Sequence, residues 1–226
     1  MDVPAAIPTQ QHSPAQSSTL QVNFSWKKFK ALITEQDNPS NPVYVVHFKP
    51  LKSPQIEIKS GTDDSTIGNG TFSTFSIDAH FEIRGQKGTL KALKRFKTVY
   101  THLSRAFSDN DSPVTMTWNK SSGLKTWDFV CLDEQQMPVA RLSANVWAAE
   151  KLGKIEFLGP KATSVAVRDE IVVTALTLFY CTAHRSSSIL NLFGAMFARP
   201  GPLGKDGPAE THLEGGRSNN RGGSLD

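Results

Sequence analysis

The sequence predicts an antiparallel β-barrel wrapped around a single enclosed helix, and two observations support this. Short segments with β-strand character follow one another through the first 160 residues, separated by turn-forming residues. After them comes a long segment without Gly or Pro, and its apolar residues occupy every face of a helix. A helix that is apolar all round must be enclosed by protein or lipid, so strands that wrap around it are the simplest arrangement.

The clearest strand prediction is residues 75–83, where Phe75, Ile77, Ala79, Phe81 and Ile83 alternate with polar residues. Further strands are predicted at 24–33, 43–48, 55–59, 114–118, 126–132, 139–142 and 154–158. Predicted turns lie between them at 69–70, 119–123, 133–136 and Gly153. Short strands at such regular intervals are typical of an antiparallel sandwich or barrel.

The enclosed helix is expected at 168–184, which places one barrel domain at residues 23–184. Residues 1–22 are rich in Pro, Gln, Ser and Ala, and residues 200–226 contain seven glycines and three prolines. Both segments offer little apolar surface to bury, so they are predicted to be disordered. Residues 185–199 are predicted to form a short apolar helix that either docks on the barrel or inserts at a membrane interface.

Several classes of protein are excluded by what the sequence lacks. The first 22 residues contain no Lys or Arg and no continuous apolar stretch, so no secretory signal is predicted. The longest apolar run, residues 171–183, is shorter than the roughly 20 residues that span a bilayer. An intracellular protein is therefore expected, and Cys131 and Cys181 are interpreted as buried thiols rather than a disulfide framework.

No catalytic or metal-binding motif is recognisable, so no enzyme, cofactor or metal site is predicted. The six histidines are scattered, and His47 and His80 are interpreted as ordinary residues of the barrel wall. The adjacent acids Asp133 and Glu134 belong to a predicted turn. Asp169 and Glu170 are expected in the first turn of the helix, where carboxylates suit the positive end of the helix dipole.

The strongest functional signal is a basic stretch between residues 83 and 108. The whole chain has a net charge of +4. Because residues 1–22 and 200–226 each carry −1, residues 23–199 carry +6. The basic stretch contains seven cations and no acid: Arg84, Lys87, Lys91, Lys94, Arg95, Lys97 and Arg105. On a helix, the lysines at 87, 91 and 94 would share a face opposite Leu90, Leu93 and Phe96. A pair of strands whose lysines keep the barrel soluble is the alternative.

Four features in order resemble the tubby C-terminal-like superfamily, which includes LURP-one-related proteins and phospholipid scramblases. They are the strand 114–118 ending in Trp118, the segment 127–134 with the hairpin strand 138–142, Trp147 with 154–157, and the closing apolar helix from Asp169. The chain looks like a fungal member over residues 24–184. The resemblance implies a closed barrel of about a dozen strands around a central helix, and some members of the superfamily bind phosphoinositides. No family site can be matched residue by residue, and the scramblases' cysteine-rich segment and terminal membrane helix are missing.

The sequence therefore predicts a non-enzymatic domain that binds anionic phospholipid headgroups through Lys87, Lys91, Lys94, Arg95 and Lys97. Such binding is electrostatic and weakens as salt rises. Nucleic acid is disfavoured as a partner because no aromatic residues that could stack on bases are interleaved with these cations. A monomer is expected. The alternative function is a protein-interaction scaffold that uses the barrel rim or the tails and has no affinity for lipid.

Overall fold

Twelve antiparallel strands form a closed barrel in the computed structural model, which describes residues 18–25, 28–49, 51–73, 76–93, 98–110, 112–122, 126–145 and 151–185. Each strand pairs with its neighbours in sequence, and β1 pairs with β12 to close the ring. In chain order the strands are β1 (Thr19–Ser25), β2 (Lys30–Glu35), β3 (Asn38–Phe48), β4 (Ile56–Ser60), β5 (Thr66–Phe72), β6 (Ala79–Ile83), β7 (Gln86–Ala92), β8 (Val99–Ser104), β9 (Val114–Ser122), β10 (Thr126–Leu132), β11 (Pro138–Asn145) and β12 (Lys151–Phe157). The predicted barrel is confirmed.

The first strand begins earlier than the sequence suggested. Leu20, Val22 and Phe24 alternate with less buried residues in β1 and point into the core. Leu20 lies opposite Glu35 of β2 and Ile155 of β12, so β1 joins the two ends of the sheet. The boundary predicted after residue 22 falls inside this strand and is wrong, because residues 19–22 are needed to complete the ring.

A single long helix, α1 (Val165–Arg185), follows a short 3₁₀ helix at Pro160–Thr163 and runs through the interior of the barrel. Its middle, from Ile171 to Leu178, is fully buried. Strands on different sides of the ring contact it: the Tyr180 ring stacks on Phe48 of β3 at 4.1 Å, and Phe179 meets Trp127 of β10 at 5.8 Å. The enclosed helix is therefore confirmed, and both cysteines are free and buried.

The acids of the helix are not where the sequence placed them. Because α1 begins at Val165, Asp169 and Glu170 lie in its second turn, and its first turn contains no acid. Both carboxylates are buried inside the barrel. The expectation that they stabilise the helix dipole from the first turn is wrong, since partners on the surrounding strands hold them instead.

Three predicted turns lie inside strands. Gly70 belongs to β5, Asn119 to β9 and Gly153 to β12. At Gly70 an added Cβ would be 2.2 Å from Oγ1 of Thr177. At Gly68 it would be 2.4 Å from the carbonyl oxygen of Glu82 in β6 and 2.8 Å from a methyl group of Val173 in α1. Gly70 is required because α1 passes close to β5, so glycine there indicates close approach and not a turn.

The helix considered for the basic stretch is wrong for the residues that the structure describes, because residues 86–92 and 99–104 are strands β7 and β8. Leu90 is fully buried, while its neighbours Thr89 and Lys91 are exposed. Arg84 and Gly85 form the preceding tight turn, both with positive φ, as a two-residue hairpin requires. The strand pair that was left open as the alternative is the one observed.

Candidate anionic-ligand site

The predicted lipid-binding residues are spread along β7 and the chain after it. Lys87 and Lys91 are both exposed. Four residues of strand separate them by about 13 Å, so they do not converge on one phosphate group. Lys87 lies near the end of the barrel where α1 begins, here called the entry end, and Lys91 lies towards the opposite exit end. Lys94, Arg95 and Lys97 are outside the described residues, as is the predicted apolar helix at 185–199 beyond Arg185.

The barrel wall opens between β7 and β8. Their ladder has two residue pairs, Lys91 with Thr101 and Ala92 with Tyr100, whereas β6 and β7 share five pairs and β8 and β9 share six. Towards the entry end the two strands diverge, and a cavity of about 810 Å³ lies between them. We call this opening the β7–β8 cleft.

One aromatic ring bridges the β7–β8 cleft on its inner side. A Cβ at Gly88 of β7 would lie 2.3 Å from Cζ of Phe81, so the ring rests directly against the glycine backbone. The same ring meets His102 of β8 edge to face, with 5.6 Å between the ring centres. Phe81 therefore occupies the space where the inward side chains of two fully paired strands would meet, and only glycine at position 88 accommodates it.

Four cations line the β7–β8 cleft: Arg84, Lys87, Lys91 and Arg105. Of these, Lys87, Lys91 and Arg105 form no ion pair with any residue that the structure describes, whereas Arg84 binds Asp169. Two carboxylates, Asp169 and Glu170, also contribute to the lining. The lining therefore has a formal charge of +2 before His102 is counted, and it favours an anion.

Both oxygens of Asp169 are occupied by partners from one strand and one turn. Its Oδ1 accepts a hydrogen bond from the Tyr44 hydroxyl at 2.9 Å, and its Oδ2 accepts from Nε and Nη2 of Arg84 at 3.0 and 2.6 Å. Burial, and then the negative charge of Asp169, raise the pKa of Tyr44 well above its usual range. Tyr44 therefore stays a neutral donor, and this cluster fixes the helix within the ring.

Glu170 is held by a second cluster, from β8. Its Oε1 lies 2.9 Å from Nε2 of His102, and its Oε2 accepts from Oγ of Ser104 at 2.9 Å. The carboxylate stands between the imidazole and the hydroxyl, so the imidazole does not activate the serine as it would in a catalytic triad. His102 is only 3% exposed, and its Nδ1 has no hydrogen-bond partner among the described residues.

Neither cluster was predicted from the sequence: Asp169 and Glu170 were expected in the first turn of the helix, and His102 was one of six scattered histidines. One signal could have found them. Two adjacent carboxylates within a helix that is otherwise apolar all round must be buried, and buried carboxylates require charged or polar partners. The partners themselves, up to 125 residues away in sequence, carry no such signal.

The two ends of the barrel differ in charge. The loops of the exit end have Lys28, Lys49 and Lys52 among their described residues, and Asp78 as the described acid. The loops of the entry end hold six described acids and three described cations: Asp37, Asp63, Asp64, Asp109, Asp133, Glu134, Arg84, Arg105 and Lys161. Leu51, beside Lys52 at the exit end, is 98% exposed.

The described part of the chain contains no cluster of three or more His, Cys, Asp or Glu side chains that could hold a metal ion. Nor does any helix there have both the length and the apolar character needed to cross a bilayer. Comparison with models of known protein families, with curated proteins and with solved structures finds no match for this chain. The resemblance to the tubby C-terminal-like superfamily therefore stays a prediction.

Proposed function

We propose that the chain is a non-enzymatic domain that binds anionic phospholipid headgroups at an intracellular membrane surface through its exit end. The observation that carries this proposal is the almost fully exposed Leu51 next to the exposed Lys52, at the end of the barrel where described cations outnumber acids. An apolar side chain among cations suits the boundary between charged headgroups and acyl chains. The resemblance to a superfamily with phosphoinositide-binding members supports the same ligand class.

The described residues that flank the centre of the basic stretch belong to the same end of the barrel. Lys94, Arg95 and Lys97 lie in sequence between Leu93 and Thr98, which are both exit-end residues. Leu93 is 55% exposed. Each basic residue near an anionic surface contributes about 1 kcal/mol, so several are needed for stable association. Lys87 lies at the other end of β7 and has no part in this proposed surface.

Exposed apolar residues occur at both ends of the barrel, so charge decides which end faces the membrane. Met137 is 61% exposed, but its loop also contains Asp133 and Glu134. An anionic surface would repel that end. The proposal therefore fixes an orientation, with α1 pointing its C-terminal end towards the bilayer.

The test is co-sedimentation of the full chain with vesicles of phosphatidylcholine alone and with added phosphatidylserine or phosphoinositide, at low and moderate salt. We expect binding to the anionic vesicles only, weaker at moderate salt. Binding of a protein partner that is insensitive to salt, together with no affinity for any vesicle, would favour the interaction scaffold instead.

Two matched pairs of variants locate the binding surface. Leu51→Ser and Met137→Ser each remove one exposed apolar side chain, from opposite ends of the barrel. Lys52→Glu and Lys154→Glu each reverse one surface charge, the latter on the side wall. We expect Lys52→Glu to weaken binding to anionic vesicles roughly 30-fold, since it changes the charge by two. Leu51→Ser should also weaken binding, and equal effects within either pair would refute the orientation.

A further inference from the structure

We propose that the β7–β8 cleft is a second binding site, which takes a small organic anion that has an oxyanion group and a compact apolar body. This site lies at the entry end, away from the proposed membrane surface, and does not depend on it. The cleft volume, its charge and its apolar wall carry the proposal.

The dimensions fit a small molecule. The cavity of about 810 Å³ lies within the usual range of ligand sites, roughly 300–1,000 Å³. It is also built into the framework, because its walls are the strands β7 and β8 and its floor is α1. Phe81 packs against both Gly88 of β7 and His102 of β8, so packed side chains support both walls of the cleft.

The cations at the rim of the cleft indicate that its ligand has an anionic group. Lys87 and Arg105 line the cleft from β7 and from the residue after β8. Neither forms an ion pair with an acid of the described chain, although Glu82 lies opposite Lys87 in the β6–β7 ladder. Asp169 and Glu170 below them already accept hydrogen bonds on both of their oxygens. Both cations are exposed at the rim, and basic side chains bind phosphoryl and carboxylate groups.

The apolar side chains of the cleft walls indicate that the ligand also has an apolar part. Phe81, Ile83 and Ala106 line the cleft, and so does Leu103, which is 64% exposed. An exposed leucine at the rim of an open cleft presents apolar surface that a ligand would cover. A bare inorganic anion would leave this surface in water, so we expect an organic anion to bind more tightly than an inorganic one.

The test is a titration of the full ¹⁵N-labelled chain with phenyl phosphate and, separately, with inorganic phosphate, followed by backbone amide shifts. We expect phenyl phosphate to shift amides at 86–91 and 101–105 and to bind at least tenfold more tightly than inorganic phosphate. Equal affinities, shifts confined to other regions, or no shift at millimolar phenyl phosphate would each overturn the proposal.

Variants link the shifts to the rim. The double substitution Lys87→Glu with Arg105→Glu should weaken phenyl phosphate binding at least tenfold, while the control Lys154→Glu should leave it unchanged. All three positions are exposed, so we expect the variants to fold. An unaltered thermal melting curve checks that they do. Unchanged affinity in the folded double variant would refute the assignment.

Vesicle binding by the same double variant shows whether the cleft binds a soluble anion or a lipid headgroup. If it loses phenyl phosphate but keeps anionic vesicles, the cleft serves a soluble ligand. If it loses both, and phenyl phosphate competes with vesicles, the cleft takes a lipid headgroup and the exit-end orientation is refuted. The membrane proposal is judged separately by Leu51→Ser, so either proposal can fail without the other.

Discussion

A buried carboxylate needs donors for its oxygens, and Asp169 receives three of them from Tyr44 and Arg84. The two partners differ in position. Tyr44 is buried with the carboxylate, whereas the side chain of Arg84 is 57% exposed and covers it from the turn between β6 and β7. Most of the solvation cost in this cluster therefore falls on Asp169, and Arg84 offsets it.

Replacing Arg84 with Met should destabilise the fold by about 2–3 kcal/mol, the range expected when a charged group loses its hydrogen bonds. The variant leaves Asp169 buried with Tyr44 as its remaining donor, while the methionine keeps most of the side-chain volume. Urea denaturation followed by tryptophan fluorescence measures the change in the free energy of unfolding.

The matched control is Lys154→Met, which removes an ion pair with Glu156 on the outer wall, where the two charges are 2.7 Å apart. Exposed pairs of this kind contribute about 0–1 kcal/mol. If both variants lower the free energy of unfolding equally, the carboxylate of Asp169 does not depend on Arg84 in the way the geometry indicates.

At the scale of elements, the contact between β5 and α1 decides how closely the helix fits in the ring. Gly70 allows Thr177 to approach the strand, and the buried Oγ1 of Thr177 has no hydrogen-bond partner among the residues that the structure describes. Burying this hydroxyl without a hydrogen bond is unfavourable, so the close packing of α1 against β5 must offset it.

Gly70→Ala should destabilise the protein by about 1–3 kcal/mol, as overpacking of a filled core does. Adding Thr177→Ala removes the atoms that the new methyl group would strike, so the double variant should recover part of that loss. A double-mutant cycle measured by urea denaturation gives the coupling, with Thr177→Ala alone as the control. Additive effects would mean that the two residues do not meet as the structure shows.

Strands β10 and β7 show why alternation predicts some elements and not others. In β10 the inward residues Trp127, Phe129 and Cys131 are apolar, so period two is visible in the sequence. In β7 the inward positions are Gly88, Leu90 and Ala92, and two of them are too small to stand out. A spacing of four places Lys87 and Lys91 on one face of a strand as well as of a helix, so the lysines could not decide between them.

At the scale of the whole molecule, the barrel and its enclosed helix were predictable because both follow from local patterns. The β7–β8 cleft was not, since it depends on a ladder that stops after two pairs and on Phe81 reaching across to His102. The opposite charges of the two ends emerge only when the topology assigns each loop to one end. The excess of cations could be predicted from the sequence, but their distribution between the two ends could not.

Closure of the ring gives the last prediction, which concerns residues 19–22. A chain that begins at residue 18 retains all of β1 and should fold with the stability of the full chain. A chain that begins at residue 23, at the boundary the composition indicated, lacks Leu20 and Val22. Burial of each contributes roughly 1.5–3 kcal/mol, and the loss also breaks pairing with both β2 and β12.

That total is comparable with the 5–15 kcal/mol by which typical domains are stable, so the shorter chain should melt far below the longer one or fail to fold. Thermal denaturation by circular dichroism compares the two. A third chain, beginning at residue 18 with Leu20→Ser and Val22→Ser, separates the loss of buried side chains from the loss of backbone pairing. If the chain that begins at residue 23 melts with the longer one, β1 does not close the barrel.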